Sequence, residues 1–463
     1  MRALRRRPPV EHCRHRIRTA IRARVVITLA LAGCGASALA PRVHAQVALP
    51  QVPVPNLPVQ LPDLSKTASS VTGQLDPKLL QNARLLRVQE LLRKHRDTFE
   101  ADPKGNAIIR SEILAYSPTE AVLEQARAAG FTVLRETALA GLGARIVTLQ
   151  PPHGMSTGRA LKTLRKIDPA GAYDFNHVYT EVGEVEPVPP SAAVAAEAPA
   201  AGASVRIKIG MIDRGVDATH AVFKDSAVHL HGCGGKAVPD PHGTAVASLI
   251  AGQDGQFHGA APGAELYAAD VFCGALRGGS VDWIADAFAW LVAEDVPVIN
   301  VSLVGPRNVM VEYVVRAVLA HGQVIVAAVG NDGPSAPPLY PASYDGVVGV
   351  TAVDAHRAVL IEAGRGPQVD FAAPGADMAG AIPGQAFGTV RGTSFAAPIV
   401  AGLLALQLQT SASTAADAAI AALAAQAIDL GTPGPDRVYG KGLVGDGLRE
   451  ELAAAGHIEE RPK

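Results

Sequence analysis

The chain has few charged residues and few cysteines, and its apolar run near the amino terminus is short. Asp, Glu, Lys and Arg make up 18% of the 463 residues, and there are four Cys. The run at 25–40 is too short and too rich in glycine for a good transmembrane span. A hydrophobic content of 48% with this low charge fits a globular protein rich in small aliphatic residues. At this length we expect two or three domains.

Basic residues are concentrated at the amino terminus. Residues 1–45 contain ten Arg and one Glu, so the rest of the chain has 32 basic and 42 acidic residues, a net charge of −10. A chain this acidic is a poor partner for nucleic acid. We therefore expect no nucleic-acid partner.

The same segment has the layout of a secretory signal peptide. A basic stretch, the apolar run and a cleavage motif of the A-x-A type at 43–45 follow one another. We predict removal of 1–45 and export to the periplasm or the outside of the cell. The motif at 31–34 also fits a lipoprotein signal, so lipidation at Cys34 and membrane anchoring is the lesser alternative.

Two cysteines, Cys233 and Cys273, remain beyond the export segment. An even pair in an exported protein favours a disulfide. The alternatives are two buried free thiols or a metal site with His229 and His231. The His-x-His-x-Cys spacing is not a standard zinc pattern, so we predict no metal site there.

The remaining chain divides by composition and periodicity. Residues 46–105 contain a Pro-rich linker and then leucines at helical spacing, which predict an amphipathic helix over about 76–99. Residues 106–182 have the βαββαβ order of a ferredoxin-like α+β domain. A Pro- and Ala-rich linker is predicted at 183–204, and a larger domain at 205–455.

Three short segments of the larger domain each carry a residue type used in nucleophilic catalysis. They are IGMIDRGVD at 209–217, HGTAVA at 242–247 and GTSFAAP at 392–398. Asp213 follows a predicted strand, whereas His242 and Ser394 come where helices are predicted to begin. A carboxylate can orient an imidazole, and a nucleophile at a helix amino end meets unpaired N–H groups. Each residue alone has an ordinary structural interpretation, as a turn or helix cap, but their joint order favours a catalytic site.

These segments closely resemble the subtilisin-like serine protease (subtilase) family, and the resemblance covers about 205–450. It implies a three-layer α/β fold with a mainly parallel sheet, and an Asp213–His242–Ser394 triad. It also implies that Asn331, in the segment 324–333, donates its side-chain amide to the oxyanion hole. The domain at 106–182 resembles the inhibitory propeptide of this family, which implies an intramolecular partner besides protein or peptide substrates. The resemblance further implies a set of substrate-binding residues: Ser302, Leu303, Val304, Ala328, Val329 and Gly330.

The chain departs from the family pattern in two places. Val304 stands where the family usually has glycine, and we expect it to crowd the cleft beside the P1 side chain, which precedes the scissile bond. The stretch 252–259 offers only Asp254 where many relatives bind calcium, and calcium needs six to eight oxygen ligands. A structural calcium ion there is therefore not favoured, and the chemistry itself requires no cofactor.

The predicted function is a serine endopeptidase that forms an acyl-enzyme on Ser394. The alternative is a catalytically silent binding module of the cell envelope with the same fold. Reaction of Ser394 with a fluorophosphonate distinguishes the two.

Overall fold

A computed structural model describes residues 83–187, 207–255, 257–410 and 416–449. All of them belong to one unit of the chain, Ser69–Lys463. The predicted signal peptide, the Pro-rich stretch and most of the predicted linker lie outside these residues. In the described part, no helix combines the length and the hydropathy needed to cross a membrane.

In the described residues, the amino-terminal region forms an antiparallel sheet and contains three α-helices. Its elements are α1 (Ala83–Lys94), β1 (Phe99–Ala101), β2 (Ala107–Tyr116), α2 (Glu120–Ala128), β3 (Thr132–Leu139), β4 (Ala144–Gln150), α3 (Thr157–Ile167) and β5 (Ala172–His177). The strands are ordered β3-β4-β2-β5, and β1 also pairs with β2. From β2 to β5 the elements follow the order expected from the sequence.

The first helix is shorter than the sequence predicts. The predicted helix extends to Phe99, but α1 ends at Lys94 and Phe99 begins β1. Phe99 is 1% exposed and pairs with Ile109. The leucine spacing identifies the apolar face of a helix but not its end, because a buried Phe suits a strand equally well.

The larger region is built around a seven-stranded parallel sheet. Its elements, in chain order with the short strands that precede them, are β6 (Thr180–Glu181), β7 (Glu184–Pro187), β8 (Lys208–Asp213), β9 (Val228–His231), α4 (Pro241–Ala251), β10 (Gln253–Asp254), β11 (Phe257–His258), β12 (Glu265–Asp270), α5 (Val281–Ala293), β13 (Val298–Val301), β14 (Leu303–Val304), α6 (Val309–Ala320), β15 (Val324–Ala328), β16 (Val348–Val353), β17 (Phe371–Pro374), β18 (Met378–Ile382), β19 (Ala386–Arg391), α7 (Thr393–Thr410) and α8 (Ala416–Ala424). The sheet order is β17-β16-β15-β13-β8-β12-β9, and all pairs are parallel. The predicted three-layer α/β fold is confirmed.

Alternate residues of the central strands face the two helical layers, as a period of two requires. In β15, Val324 and Val326 pack in the cluster that contains α4 and α7. Ile325 and Ala327 pack in the cluster that contains α5 and α6. The central strands are therefore mostly apolar, since both faces of the sheet are covered.

The amino-terminal sheet lies against α5 and α6. Leu114 of β2 and Ile146 of β4 belong to the same buried cluster as these two helices. The neighbouring residues Ile113 and Val147 pack instead with α2 and α3. One sheet thus has its own helices on one face and the helices of the larger region on the other.

Two short strands connect the two regions through the predicted site. β6 pairs antiparallel with β14, and β7 pairs antiparallel with β19. Both lie at the start of the predicted linker or just before it. Four residues of the stretch that its composition predicts to be a linker are therefore paired with the larger region.

Candidate active site

Asp213 and His242 meet at the carboxyl edge of the parallel sheet. Asp213 is the last residue of β8, and His242 is the second residue of α4, whose amino end the Asp240 side chain caps. His242 Nδ1 lies 2.8 Å from Asp213 Oδ1, and the two side chains are 7% and 0% exposed. A hydrogen bond from Nδ1–H to this carboxylate leaves Nε2 as the ring nitrogen that can exchange a proton.

Burial and charge act in opposite directions on this pair. Burial lowers the pKa of His242, but the charges of Asp213 and then of Glu181 outweigh it, so the pKa is raised. Burial raises the pKa of Asp213, and His242 offsets this only in part. Asp213 Oδ1 also accepts the backbone N–H of Arg214 at 2.6 Å, whereas Oδ2 has no hydrogen-bond partner in the described residues.

Ser394 is the second residue of α7 and forms a reciprocal pair with Ser302. The Ser394 hydroxyl donates to the Ser302 carbonyl at 3.1 Å, and the Ser302 hydroxyl donates to the Ser394 carbonyl at 2.9 Å. Pro398, four residues after Ser394, has no N–H and cannot give this carbonyl its helical hydrogen bond. The Ser302 hydroxyl is the donor to the Ser394 carbonyl instead. The same hydroxyl oxygen accepts a hydrogen bond from Asn300 Nδ2 at 2.9 Å.

Asn331 lies beside the start of α7. Its Oδ1 accepts the Thr393 hydroxyl at 2.9 Å and the Thr393 backbone N–H at 3.2 Å. Because Asn331 Oδ1 makes both bonds to Thr393, the Nδ2 amide faces away from Thr393. A Cβ added at Gly392 would lie 2.6 Å from Asn331 Nδ2, and the φ of Gly392 is +137°. Glycine is therefore needed here for both space and backbone conformation.

A backbone segment of the same chain crosses the candidate residues. In β6, Thr180 pairs with Val304 and Glu181 pairs with Leu303. The next carbonyl oxygen, that of Val182, lies 3.4 Å from His242 Nε2. Gly183 follows with φ +120°, and a Cβ there would lie 2.6 Å from the Phe395 ring.

The predicted substrate-binding residues fall into two groups around this segment. Leu303 and Val304 form β14, which pairs with β6. Ser302 accepts the Ser394 hydroxyl with its carbonyl. Ala328 ends β15, and the Val329 N–H bonds to the Val350 carbonyl. The Gly330 N–H donates to the Thr393 hydroxyl at 3.2 Å. The side chain of Val304 is fully buried, and its backbone partner is Thr180, two residues before Val182.

Cys233 and Cys273 lie at bonding distance, with their sulfur atoms 2.10 Å apart. In the described part of the chain they also form, with Asp270, the one cluster of potential metal ligands. His229 instead bonds to Glu265 and stacks on Tyr267.

His231 is likewise engaged elsewhere, since it bonds to Asp286 and stacks on Trp290. Asp254 pairs with Lys224 at 3.9 Å, and its strand β10 forms a hairpin with β11. The two histidines of the alternative metal site and the acidic residue of the possible calcium site therefore each have a protein partner.

Several residues at the site were not identified from the sequence. Thr393 fixes Asn331, and Arg214 forms an ion pair with Glu181. Arg84 of α1 reaches Asp332, the neighbour of Asn331, with Nε 2.7 Å from Oδ2. Such long-range pairs leave no pattern in a single sequence. Pro398 in a predicted helix was a signal for one further contact. Because proline has no N–H, the carbonyl four residues earlier needs a donor from elsewhere in the chain.

Comparisons with known proteins identify the family of the chain. The model of the subtilase family matches residues 205–442, just over half of the chain. Subtilisin E of Bacillus subtilis (strain 168) is 32% identical over 266 residues, which cover 54% of this chain and 68% of subtilisin E. The major intracellular serine protease of the same strain is 33% identical over 215 residues, covering 43% of this chain and 67% of that protein.

Among solved structures, fervidolysin from Fervidobacterium pennivorans, a keratinolytic enzyme related to subtilisin, has a similar fold. The TM-score is 0.62 at 22% identity, over 77% of this chain and 63% of the fervidolysin chain. This protein is therefore a subtilisin-like serine protease by class. The chain belongs to the subtilase family, and it is a serine endopeptidase, a hydrolase of peptide bonds.

Proposed function

We propose that Ser394 is the nucleophile, His242 the general base and Asp213 the residue that orients His242. Asn331 Nδ2 and the Ser394 backbone N–H form the oxyanion hole. The observation that carries this proposal is the Val182 carbonyl 3.4 Å from His242 Nε2, on a strand paired to the cleft like an extended substrate. The 2.8 Å contact between His242 and Asp213 supports it.

The reaction follows from these roles. His242 Nε2 takes the hydroxyl proton as Ser394 Oγ bonds to the substrate carbonyl carbon, and negative charge develops on the carbonyl oxygen. The C–N bond then breaks, and His242 gives the proton to the leaving amine. Water, deprotonated in the same way, hydrolyses the acyl-enzyme and restores the Ser394 hydroxyl.

We propose that the first substrate is the chain itself, at the bond between Val182 and Gly183. The antiparallel register brings Val182 opposite Ser302, whose carbonyl accepts the Ser394 hydroxyl. Strand β7 continues along β19 on the other side of that bond, so both sides of it are held. Val182 would then be P1, and Glu181 would be P2, the second residue before the scissile bond.

The domain at 106–182 acts as a propeptide in this account. Two of its side chains cap helices of the protease region: Asn176 Oδ1 accepts the Val281 N–H at 3.0 Å, and Asp174 Oδ2 accepts the Val309 N–H at 2.8 Å. Arg135 pairs with Asp282 at 2.5 Å. These contacts do not depend on the Val182–Gly183 bond, so cleavage alone does not release the domain, and the cleft opens to other substrates only when the domain dissociates.

The protonation of His242 controls when cleavage begins. A neutral His242 with its proton on Nδ1 would turn the lone pair of Nε2 toward the Val182 carbonyl oxygen, which is also an acceptor. A cationic His242 would donate to it instead, but it could not act as a base. The raised pKa of His242 favours the cationic form before cleavage. Self-cleavage should therefore accelerate as the pH rises through the pKa of His242.

Export is part of the proposal. The support is the basic, apolar and small-residue order of 1–45 and the Cys233–Cys273 pair. Family membership alone does not set the location, since one of the relatives is by name an intracellular protease.

Amino-terminal sequencing of purified protein tests the proposal. We expect the native chain to yield a new terminus at Gly183 and the Ser394→Ala chain to retain the preceding domain. Peptidase activity of Ser394→Ala should fall by about 10⁴ or more, because only binding and the oxyanion hole remain. Ser226→Ala, which removes a single hydroxyl bond to the Ala251 carbonyl away from the cleft, is the matched control and should process normally.

Identical amino termini in the native and Ser394→Ala proteins would defeat self-processing. Near-native turnover by Ser394→Ala would defeat the nucleophile assignment and leave the silent binding module as the better interpretation.

A further inference from the structure

Arg214, the residue after Asp213, is positively charged, whereas the chain segment in the cleft has a negative charge at Glu181. Arg214 Nη2 lies 2.9 Å from Glu181 Oε2, and the two side chains are 25% and 24% exposed. Burial raises the pKa of Glu181, but the charges of Arg214 and His242 outweigh it, so the pKa is lowered. Glu181 is thus an anion that bonds to a cation at the edge of the cleft.

Other contacts hold Arg214 in this position. Its Nη1 lies 3.5 Å from Asp240 Oδ2, and its guanidinium lies 4.4 Å from the centre of the Phe272 ring. Neither partner belongs to the segment that crosses the cleft. The guanidinium therefore keeps its place when a different peptide occupies the cleft, and little side-chain entropy is lost on binding.

The register fixes which substrate side chain Arg214 meets. Glu181 pairs with Leu303 and directly precedes Val182, whose carbonyl faces His242 Nε2. If the bond after Val182 is the one cleaved, then Arg214 contacts the P2 side chain. Asp240 offsets part of the positive charge of Arg214 but leaves the Nη2 side to the P2 group.

We propose that Arg214 is a specificity residue that selects peptides with Glu at P2. The inference rests on the proposed function, because it takes its numbering from cleavage after Val182. A Gln at P2 keeps a hydrogen bond but loses the charge, whereas a Lys brings like charges together and leaves Arg214 without a partner. Hydrogen bonds to charged groups contribute about 1.5–3 kcal/mol, which is roughly a tenfold preference or more.

The direct test uses peptides that differ only at P2. The active protein is assayed with a series that has Val at P1 and Glu, Gln or Lys at P2. We expect kcat/KM for Glu to exceed that for Lys by about tenfold or more, with Gln between them. Arg214→Gln should reduce the Glu-to-Lys ratio to about one. Arg357→Gln removes the same charge from an exposed pair with Asp446 and should leave the ratio as it is.

A charge exchange within the full chain gives a second measurement that does not depend on added peptides. Glu181→Lys and Arg214→Glu should each slow cleavage at the Val182–Gly183 bond. The double variant should recover part of the rate, because the ion pair is restored with reversed charges. Recovery would show that the two residues act through their charges, and the peptide series separates selection at P2 from support of the amino-terminal segment.

The outcomes separate the two proposals. Cleavage of all peptides with a Glu-to-Lys ratio near one, or a ratio that Arg214→Gln does not change, would overturn the P2 inference and leave the protease assignment standing. Should Arg214→Gln fail to fold, the ratio measured with the native protein still decides against the inference if it is near one. No cleavage of any peptide would overturn the proposed function and the inference with it.

Discussion

Replacing Ser302 by alanine should destabilise the protein through the helix that carries Ser394. The hydroxyl of Ser302 donates to the Ser394 carbonyl and accepts from Asn300 Nδ2, both at 2.9 Å. All three residues are completely buried. Because Pro398 has no N–H, alanine at 302 leaves the carbonyl without that donor and the amide without its acceptor.

The magnitude follows from counting the groups left unpaired. A buried polar group without a partner costs about 1–3 kcal/mol, so two such groups predict a loss of about 2–6 kcal/mol in the free energy of unfolding. Pro398→Ala restores an N–H that can donate to the Ser394 carbonyl. In that background, Ser302→Ala should cost about 1–2 kcal/mol less.

The assay is urea unfolding of four proteins, all carrying Ser394→Ala so that none digests itself. They have Ser or Ala at 302 and Pro or Ala at 398. Tryptophan fluorescence reports the transition, since both Trp residues of the chain lie in α5. Ser226→Ala serves as the control. It should lower the free energy of unfolding by about 1 kcal/mol, with either Pro or Ala at 398.

Two results would refute the reasoning. One is a cost of Ser302→Ala below about 0.5 kcal/mol, the range of ordinary surface substitutions. The other is an equal cost with Pro and with Ala at 398, which would mean that the Ser302 hydroxyl does not replace the missing helical donor.

Three further predictions concern the rest of the site. Non-reduced native protein should have no alkylatable thiol at Cys233 or Cys273, and Cys233→Ser should lower the melting temperature; the 40-residue separation predicts about 4 kcal/mol. Two reactive thiols would contradict the bridge. Val304→Gly should widen tolerance for bulky P1 residues in a peptide library, and an unchanged P1 profile would refute the role of Val304. Self-cleavage of the full chain should slow as pH decreases through the pKa of His242, which Asp213 and then Glu181 raise, so a midpoint clearly below the ordinary histidine value of about 6.5 would count against the pair.

Local patterns predicted most of the fold correctly. The strand at Ala107–Tyr116 and the helices that begin near His242 and Ser394 have their predicted places. Apolar periodicity and cap residues act within a few positions of the chain, so a single sequence carries them. The end of α1 was misplaced, because Phe99 owes its strand conformation to pairing with Ile109.

The site divides in the same way. Asp213, His242, Ser394 and Asn331 could be named because each lies in a short motif. Their partners could not be named, because those contacts join distant parts of the chain. The residues concerned are Ser302, whose hydroxyl donates to the Ser394 carbonyl, Thr393 as the anchor of Asn331, Arg214 with Glu181, and Arg84 with Asp332.

The strand β7 shows the limit of composition as a guide. Residues 183–204 read as a linker because they are rich in Pro and Ala, yet Glu184–Pro187 pairs with β19. Backbone hydrogen bonds to a partner strand do not depend on side-chain type, so composition gave no warning of them.

Labelling with a fluorophosphonate tests the central claim most directly. The active protein is treated with the probe, digested, and analysed by mass spectrometry to locate the adduct. We predict a single adduct on Ser394, none in Ser394→Ala, and loss of peptidase activity in proportion to labelling. Peptidase activity that survives complete exposure to the probe, or an adduct at another serine, would contradict the account.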